Sequence, residues 1–209
     1  FQCPFCSKFE TTIAAAREKY GPSKVRVIWK NYPLPFHKEA RPTAIAAEAV
    51  FRAGGSQAFW KFHDSAFANQ SGLNQDNFEA WASAAGVDAS RLRALQADPE
   101  VAAKVDGDAA LAKTVGVQGT PNTFVNGFLL TGAQPLEKLT ALIDTEMASA
   151  ERAMAVANAQ IGLANAAFYP SITLSSNVGQ QSRALSRLLD APSLIWSVGA
   201  NAAQVLFDG

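Results

Sequence analysis

The sequence is short of cysteine and histidine and has no excess of either charge, and each shortage excludes something. Only two cysteines, Cys3 and Cys6, occur in 209 residues. Two thiols cannot build a disulfide-stapled scaffold, and a closed zinc site needs four ligands. The two histidines, His37 and His63, have no paired ligand spacing and read as structural residues. Lys+Arg and Asp+Glu are equal at 18 each, without a basic block, which argues against a nucleic-acid surface. No apolar run approaches the ~20 residues of a membrane-spanning helix. Initiator Met and signal peptide are both missing. The chain opens on the cysteine motif itself and reads as a fragment that has lost its natural start. Its 48% apolar and 17% charged residues suit a globular core, either one large domain or one domain plus a piece of another.

What is present begins at once, with Phe1-Gln2-Cys3-Pro4-Phe5-Cys6. A C-x-x-C unit just before an amphipathic stretch can be half a zinc site, two core cysteines, or a redox pair. No second cysteine pair exists for zinc, and core cysteines need not fall at this spacing beside a proline at a helix start. Redox use is therefore the reading adopted. Cys3 is expected as N-cap, with Pro4 at the first helical position, where its missing N–H costs nothing. The unpaired N–H groups and positive dipole end of that helix stabilise a thiolate. Cys3 is expected to be the exposed, attacking sulfur. Cys6, one turn in and more buried, would resolve the mixed disulfide. Pro4 and Phe5 tune the pair, and Phe5, adding no positive charge, gives less thiolate stabilisation than a basic or histidine dipeptide.

The first helix runs through Phe9, Ile13, Ala16 and Tyr20 and stops at Gly21-Pro22. Residues 24–32 alternate as a strand, and Ile28 on the second face suggests an interior strand covered on both sides. From about Glu39 to Val115 the pattern is helical. One segment spans Ala44 to Phe51 and closes at Gly54-Gly55. A second carries Phe59, Trp60, Phe62, His63 and Phe67, an aromatic set read as core. Asn74, Asp88 and Asp98 then cap three more helices, and Asp98-Pro99-Glu100 is a strong start signal. Thr123-Phe124-Val125, Asn126-Gly127 and Phe128-Leu129-Leu130 form a hairpin signature, and Pro135 opens a last helix through Leu136, Leu139, Leu142 and Ile143.

After about Ala148 the composition shifts. Only Glu151, Asp190, Asp208, Arg152, Arg183 and Arg187 are charged beyond that point. Helical periodicity continues from Pro135 to about Phe168 and breaks at Tyr169-Pro170-Ser171. Two alternating stretches, about 171–181 and 195–206, read as strands of about ten residues, too small a pair to be stable alone.

Positions 1–147 resemble the DsbA-like thioredoxin family of thiol–disulfide oxidoreductases. The resemblance rests on FQCPFCSKF, VRVIWKNYPLPFHKEA, FWKFHDSAFANQ, GVQGTPNTFVNG and GAQPLEKLTALID. It implies an α/β thioredoxin-like fold with a helical insertion. It also implies a periplasmic enzyme that makes or reshuffles disulfides in exported proteins. Cys3 and Cys6 fall on the family's redox pair. Thr120-Pro121 falls on its cis-proline loop, where the residue before the proline pairs with an extended substrate chain; by itself, Pro121 could be a plain loop proline. The strand that precedes the motif in this family is absent here, and Pro-Phe replaces the Pro-His of the best-known oxidase. Residues 148–209 resemble TolC-type outer-membrane efflux channels, on AERAMAVANAQIGLANAAFYPSITLSSNVG and SLIWSVGANAAQVLFDG. Truncation at both ends favours a join of two fragments over a gene fusion.

The expected function is thiol–disulfide exchange on unfolded or reduced exported proteins, with a redox partner to reset the Cys pair. It calls for no metal, no organic cofactor and no nucleic acid. A different class, an outer-membrane transport component with the thiol module accessory, is the alternative, and the C-terminal part suggests outer-membrane association. Detergent-dependent trimers would speak for the alternative and a soluble monomer against it.

Overall fold

The computed structural model describes residues 1–166, 169, 171–181 and 194–203. The chain divides into two compact units, Phe1–Met147 and Ala148–Gly209.

In the first unit, α1 (Pro4–Tyr20) starts where the sequence places it. Cys3 is the extended N-cap, and Pro4 occupies the first turn. The helix ends at Gly21, whose φ of 70° suits a residue without Cβ. Phe9, Ala16 and Tyr20 are its buried face. They pack with Leu139 and Ile143 of α6 (Leu136–Ala166) and with Val125 and Leu130 of the hairpin. The Tyr20 hydroxyl donates to Asp144 Oδ1 at 2.7 Å, tying α1 to α6 at the polar rim of this small core.

The larger core lies in the helical block. α2 (Ala40–Ala68) is interrupted at Gly55, whose φ of 71° and ψ of −165° break the helical backbone. The Gly54-Gly55 stop in the sequence is thus a kink between two helical pieces. α3 (Gln75–Ala84), α4 (Ala89–Gln96) and α5 (Pro99–Thr114) pack around it. Phe62, Phe78, Leu92 and Val101 are fully buried there, each contributing about 2 kcal/mol by removal from water. Asn74 and Asp98 accept the expected cap bonds, from Asn77 N and Glu100 N. Asp88 is the N-cap of α4 but makes no side-chain cap bond.

The hairpin forms as Asn-Gly requires. β1 (Asn122–Val125) and β2 (Phe128–Thr131) pair antiparallel with Val125 opposite Phe128. Asn126 and Gly127 take positive φ (49° and 96°), the pair of left-handed residues that a two-residue turn needs.

Residues 24–32 correct the strand expectation. Burial alternates there as in a strand, yet the segment pairs with no other strand. Residues 25–31 and 122–126 of the hairpin both line a cavity of about 680 Å³, and no ladder joins the two extended segments. Ile28, expected under cover, is 62% exposed with Arg26 and Lys30 on the same side. What anchors the segment is α5. Buried Asp108 accepts from Asn31 N–H (3.2 Å), Lys30 Nζ (3.1 Å) and Lys104 Nζ (2.5 Å).

In the second unit, β3 (Ser171–Gln180) and β4 (Leu194–Ala203) pair antiparallel, from Ser171 opposite Ala203 to Gln180 opposite Leu194. All their residues are exposed, including Ile172, Leu174, Trp196 and Val198. Positions 204–206 of the expected second strand, and Phe168 and Pro170 at the helix–strand break, lie outside the described residues. Among the described residues, no helix is long and apolar enough to cross a membrane.

Candidate active site

Three separate stretches meet at Cys3. As N-cap of α1, its carbonyl accepts from Cys6 N–H (3.1 Å) and Ser7 N–H (3.3 Å), the first bonds of the helix. Its thiol donates to the carbonyl of Thr120, 117 residues away, at 3.5 Å. Gln70 Nε2, just beyond α2, donates to the Cys3 carbonyl at 3.0 Å and also to the Phe1 carbonyl. Gln2 Oε1 accepts from Glu39 N–H at 2.8 Å, fixing the segment that enters the motif against the start of α2. Both sulfurs are free thiols.

The expectation that Cys3 is the exposed sulfur and Cys6 the buried one is corrected in part. Only 6% of the Cys3 surface is exposed, whereas Cys6 is half-buried. The cover over Cys3 comes from Thr120 and Gln70, which are remote in sequence. Surface contact and depth part company here. Cys3 lies under a thin cover, while heavier desolvation surrounds Cys6, and the ionisation of the two thiols follows depth. Burial acts to raise the Cys3 thiol, but hydrogen bonds from Thr120 and Cys6 and from the Phe5 backbone outweigh it and leave Cys3 below its ordinary value. Burial dominates at Cys6 and pushes it up to about 12. At neutral pH the pair is therefore one activated thiol and one protonated thiol.

The Thr120–Pro121 peptide is cis. The Thr120 hydroxyl is buried and has no hydrogen-bond partner of acceptable geometry among the described residues. Its nearness lowers Cys3 and offsets part of the rise at Cys6. Phe5 is 59% exposed, so the dipeptide between the cysteines faces solvent and brings no charge to them.

His63 is nearly fully buried within a ring of Phe1, Trp29, Phe59, Trp60 and Phe67. The core reading of Phe59, Phe62 and Phe67 agrees with their burial, while Trp60 sits at the edge under Arg17 (4.8 Å). His63 Nδ1 is 3.0 Å from Asp64 Oδ1, and Nε2 is 3.7 Å from Glu10 Oε1. The distance suggests an ion pair, but the ionisation does not. Burial lowers His63 and raises Glu10 to about 7, so neither holds a stable charge at neutral pH. Glu10 and Gln70 are site residues that the sequence did not single out. Glu10 could have been found from its place one turn beyond Cys6; nothing local marks Gln70.

The family model of the DSBA-like thioredoxin domain matches residues 1–144, and that of outer membrane efflux proteins matches residues 141–209. The Na(+)/H(+) antiporter NhaA 3 of Salinispora tropica is 34% identical over 151 residues, 72% of this chain. The chain spans about a fifth of that protein's length (22%). A probable disulfide bond formation protein D of Bacillus cereus is 27% identical, with 70% of both chains covered. A periplasmic thioredoxin-like protein from Salmonella enterica serovar Typhimurium superposes with a TM-score of 0.61 at 26% identity, covering 70% of this chain and 79% of its own. The thiol-disulfide exchange protein alpha-DsbA2 from Wolbachia pipientis shares the fold, with a TM-score of 0.62 at 19% identity over 69% of this chain and 76% of its own. With its fold, its cysteine pair at the start of α1 and a family match over residues 1–144, the chain belongs to the DsbA-like thioredoxin family.

Proposed function

We infer that the chain carries out thiol–disulfide exchange through Cys3 and Cys6, forming or reshuffling disulfides in exported proteins. The observation that carries this reading is the split in ionisation across one helical turn, with Cys3 lowered and Cys6 raised to about 12. A low thiol pKa makes Cys3 both the better nucleophile at neutral pH and the better leaving group. In the oxidising direction a substrate thiolate attacks Cys3 Sγ of the Cys3–Cys6 disulfide. The new bond joins substrate to Cys3, and Cys6 leaves with the electron pair. A second substrate thiolate then attacks the substrate sulfur of this mixed disulfide. A substrate disulfide forms, and Cys3 leaves as the thiolate. The substrate has lost two electrons and the cysteine pair has gained them, so a redox partner must reoxidise the pair.

Thr120 and Pro121 are assigned to substrate binding, because the Thr120 backbone lies beside the attacked sulfur. Pro4 and Phe5 tune the pair by starting the helix and leaving it without added charge. Residues 1–147 are read as the DsbA-like domain and 148–209 as a piece of a TolC-like efflux protein. A periplasmic location is in keeping with the Salmonella relative. Outer-membrane association through the C-terminal part rests on the efflux-family match alone. Transport ranks second, since one antiparallel pair cannot enclose a channel.

The test is turnover. Purified protein, with oxidised glutathione as terminal oxidant, is expected to oxidise a reduced dithiol peptide over many cycles, and Cys6→Ala is expected not to. A wild-type rate equal to the uncatalysed rate would sink the reading.

A further inference from the structure

Residues 1–3 are held from both ends of α2. Gly55 breaks that helix into two pieces, and the residues flanking its beginning and its end both bond the segment that enters the motif. At the beginning, Glu39 N–H donates to Gln2 Oε1 at 2.8 Å. Just past the end, the Gln70 side-chain amide donates to two carbonyls, those of Phe1 and Cys3, the second at 3.0 Å. An amide NH₂ carries two donors, so this one side chain holds two carbonyls spaced two residues apart. The Phe1 ring packs 5.2 Å from Phe67, three residues before Gln70, so the end of α2 grips Phe1 by ring and backbone together. Gln70 is itself set by a tight turn, Gln70–Gly72. Gly72 N–H donates to the Asn69 carbonyl at 3.0 Å, and the Gly72 carbonyl accepts from Asn77 Nδ2 at 2.7 Å. A Cβ at Gly72 would come within 2.5 Å of Asn69 Nδ2, so the turn has room for glycine alone.

We propose that Gln70 is a positioning residue for disulfide exchange: by holding the Phe1 and Cys3 carbonyls, it fixes the direction from which the Cys3 sulfur meets Cys6. The proposal rests on the thiol-exchange reading of that pair. The Cys3 carbonyl also accepts from Cys6 N–H and Ser7 N–H, so the Gln70 bond ties its orientation to α1 on one side and to the end of α2 on the other. The orientation of that carbonyl is the ψ angle of Cys3, 123° here. The Phe1 and Gln2 bonds hold the chain that leads into it. A disulfide closes only over a narrow range of Cα–Cβ directions. In the closing step, Cys6 gives its proton to water and its sulfur attacks Cys3 of a mixed disulfide. The Cys3–Cys6 bond forms, the bond from Cys3 to the substrate sulfur breaks, and the substrate thiolate leaves with the electron pair. Closure depends on the placement of two sulfurs within one chain. The first attack, by Cys3 on an outside disulfide, tolerates a looser Cys3 because the reagent can approach to suit it. Gln70 therefore acts mainly on closure.

The test mixes the reduced full chain with 5,5′-dithiobis(2-nitrobenzoate) in stopped flow. The first thionitrobenzoate reports attack by Cys3. The second, released at a rate independent of reagent concentration, reports displacement from Cys3 by Cys6. Gln70→Met keeps the length of the side chain and removes both donors, whereas Gln70→Ala removes the side chain as well. Both are expected to slow the second phase about tenfold and the first by less than about threefold. Urea unfolding reports whether each variant is folded. A second phase at the wild-type rate in Gln70→Met overturns the proposal, since packing alone would then suffice. Equal slowing of both phases, or loss of cooperative unfolding in both variants, overturns it too, because Gln70 would then be a structural residue only. If the wild type shows no second phase, or Cys6→Ala matches it, the exchange reading fails on its own account and takes the proposal with it.

Discussion

At the residue scale, Cys3 and Cys6 differ in what each sulfur gives up on burial and what it receives in return. Cys3 is compensated by hydrogen bonds from a remote loop and its own helix start, whereas Cys6 is mostly desolvated. In the reduced protein at about pH 7, iodoacetamide is expected to label Cys3 at least about tenfold faster than Cys6. Peptide mass spectrometry reads the two sites separately, and equal labelling would contradict the assignment. Thr120→Val removes a hydroxyl that stabilises the thiolate and is expected to slow Cys3 labelling about threefold. Glu10 carries a cost of a different kind. Its folded value of about 7 lies above the ordinary 4.5, so between those values the native state holds a proton that the unfolded chain has released. Stability therefore falls as pH rises through that window, by at most about 3 kcal/mol at 1.36 kcal/mol per unit. Glu10→Gln is expected to melt higher than wild type at about pH 8 and to converge with it below about pH 4.5. Identical shifts at both pH values would rule this out.

At the element scale, what the sequence disclosed and what it hid divide by the range of the interaction. Caps, the proline at the start of α1, the glycine stop and the Asn-Gly turn are decided within four residues, and Asn74, Asp98, Gly21 and Asn126-Gly127 all sit where their local chemistry requires. Residues 24–32 mark the boundary of that legibility. Alternation reports an extended backbone, but pairing needs a neighbour, and no ladder joins this segment to the hairpin with which it lines one cavity. The burial of Cys3 was hidden for the same reason, since its covers are 67 and 117 residues away. The extended segment is held instead by Asp108, which is 6% exposed and accepts from the backbone of Asn31. Lys30 and Lys104 are about half-exposed, so solvent screens their share. Asp108→Ala leaves the Asn31 N–H unpaired and is expected to cost about 2 kcal/mol, read as a lower urea midpoint at unchanged slope. Hydrogen bonding outweighs burial and holds the Asp108 carboxyl below its ordinary 3.8. Its contribution is therefore present above that value and is lost as pH falls through the lower folded one, so wild type and variant should draw together in acid.

At the scale of the whole molecule, the chain changes character near residue 147, where its two compact units divide. The first unit has two buried cores and a thiol site assembled from α1, the segment after α2 and the loop before β1. The second has no buried residue among those described, and its apolar strand side chains face outward. The shift from a charged, aromatic composition to an Ala-, Ser- and Asn-rich one announced this change of character, because a segment without enough apolar surface turned inward has no core to bury. The family matches change over in the same region, at residues 141–144. On the thiol-exchange reading, all of the chemistry lies in the first unit, at Cys3. The most direct measurement mixes reduced Cys6→Ala protein with a disulfide-bonded peptide and maps the products by mass spectrometry. The expected result is a stable adduct joining one peptide half to Cys3, while wild type instead accumulates the Cys3–Cys6 disulfide and two free peptide thiols. Absence of an adduct at Cys3, or a wild type that closes no Cys3–Cys6 bond, would contradict the account.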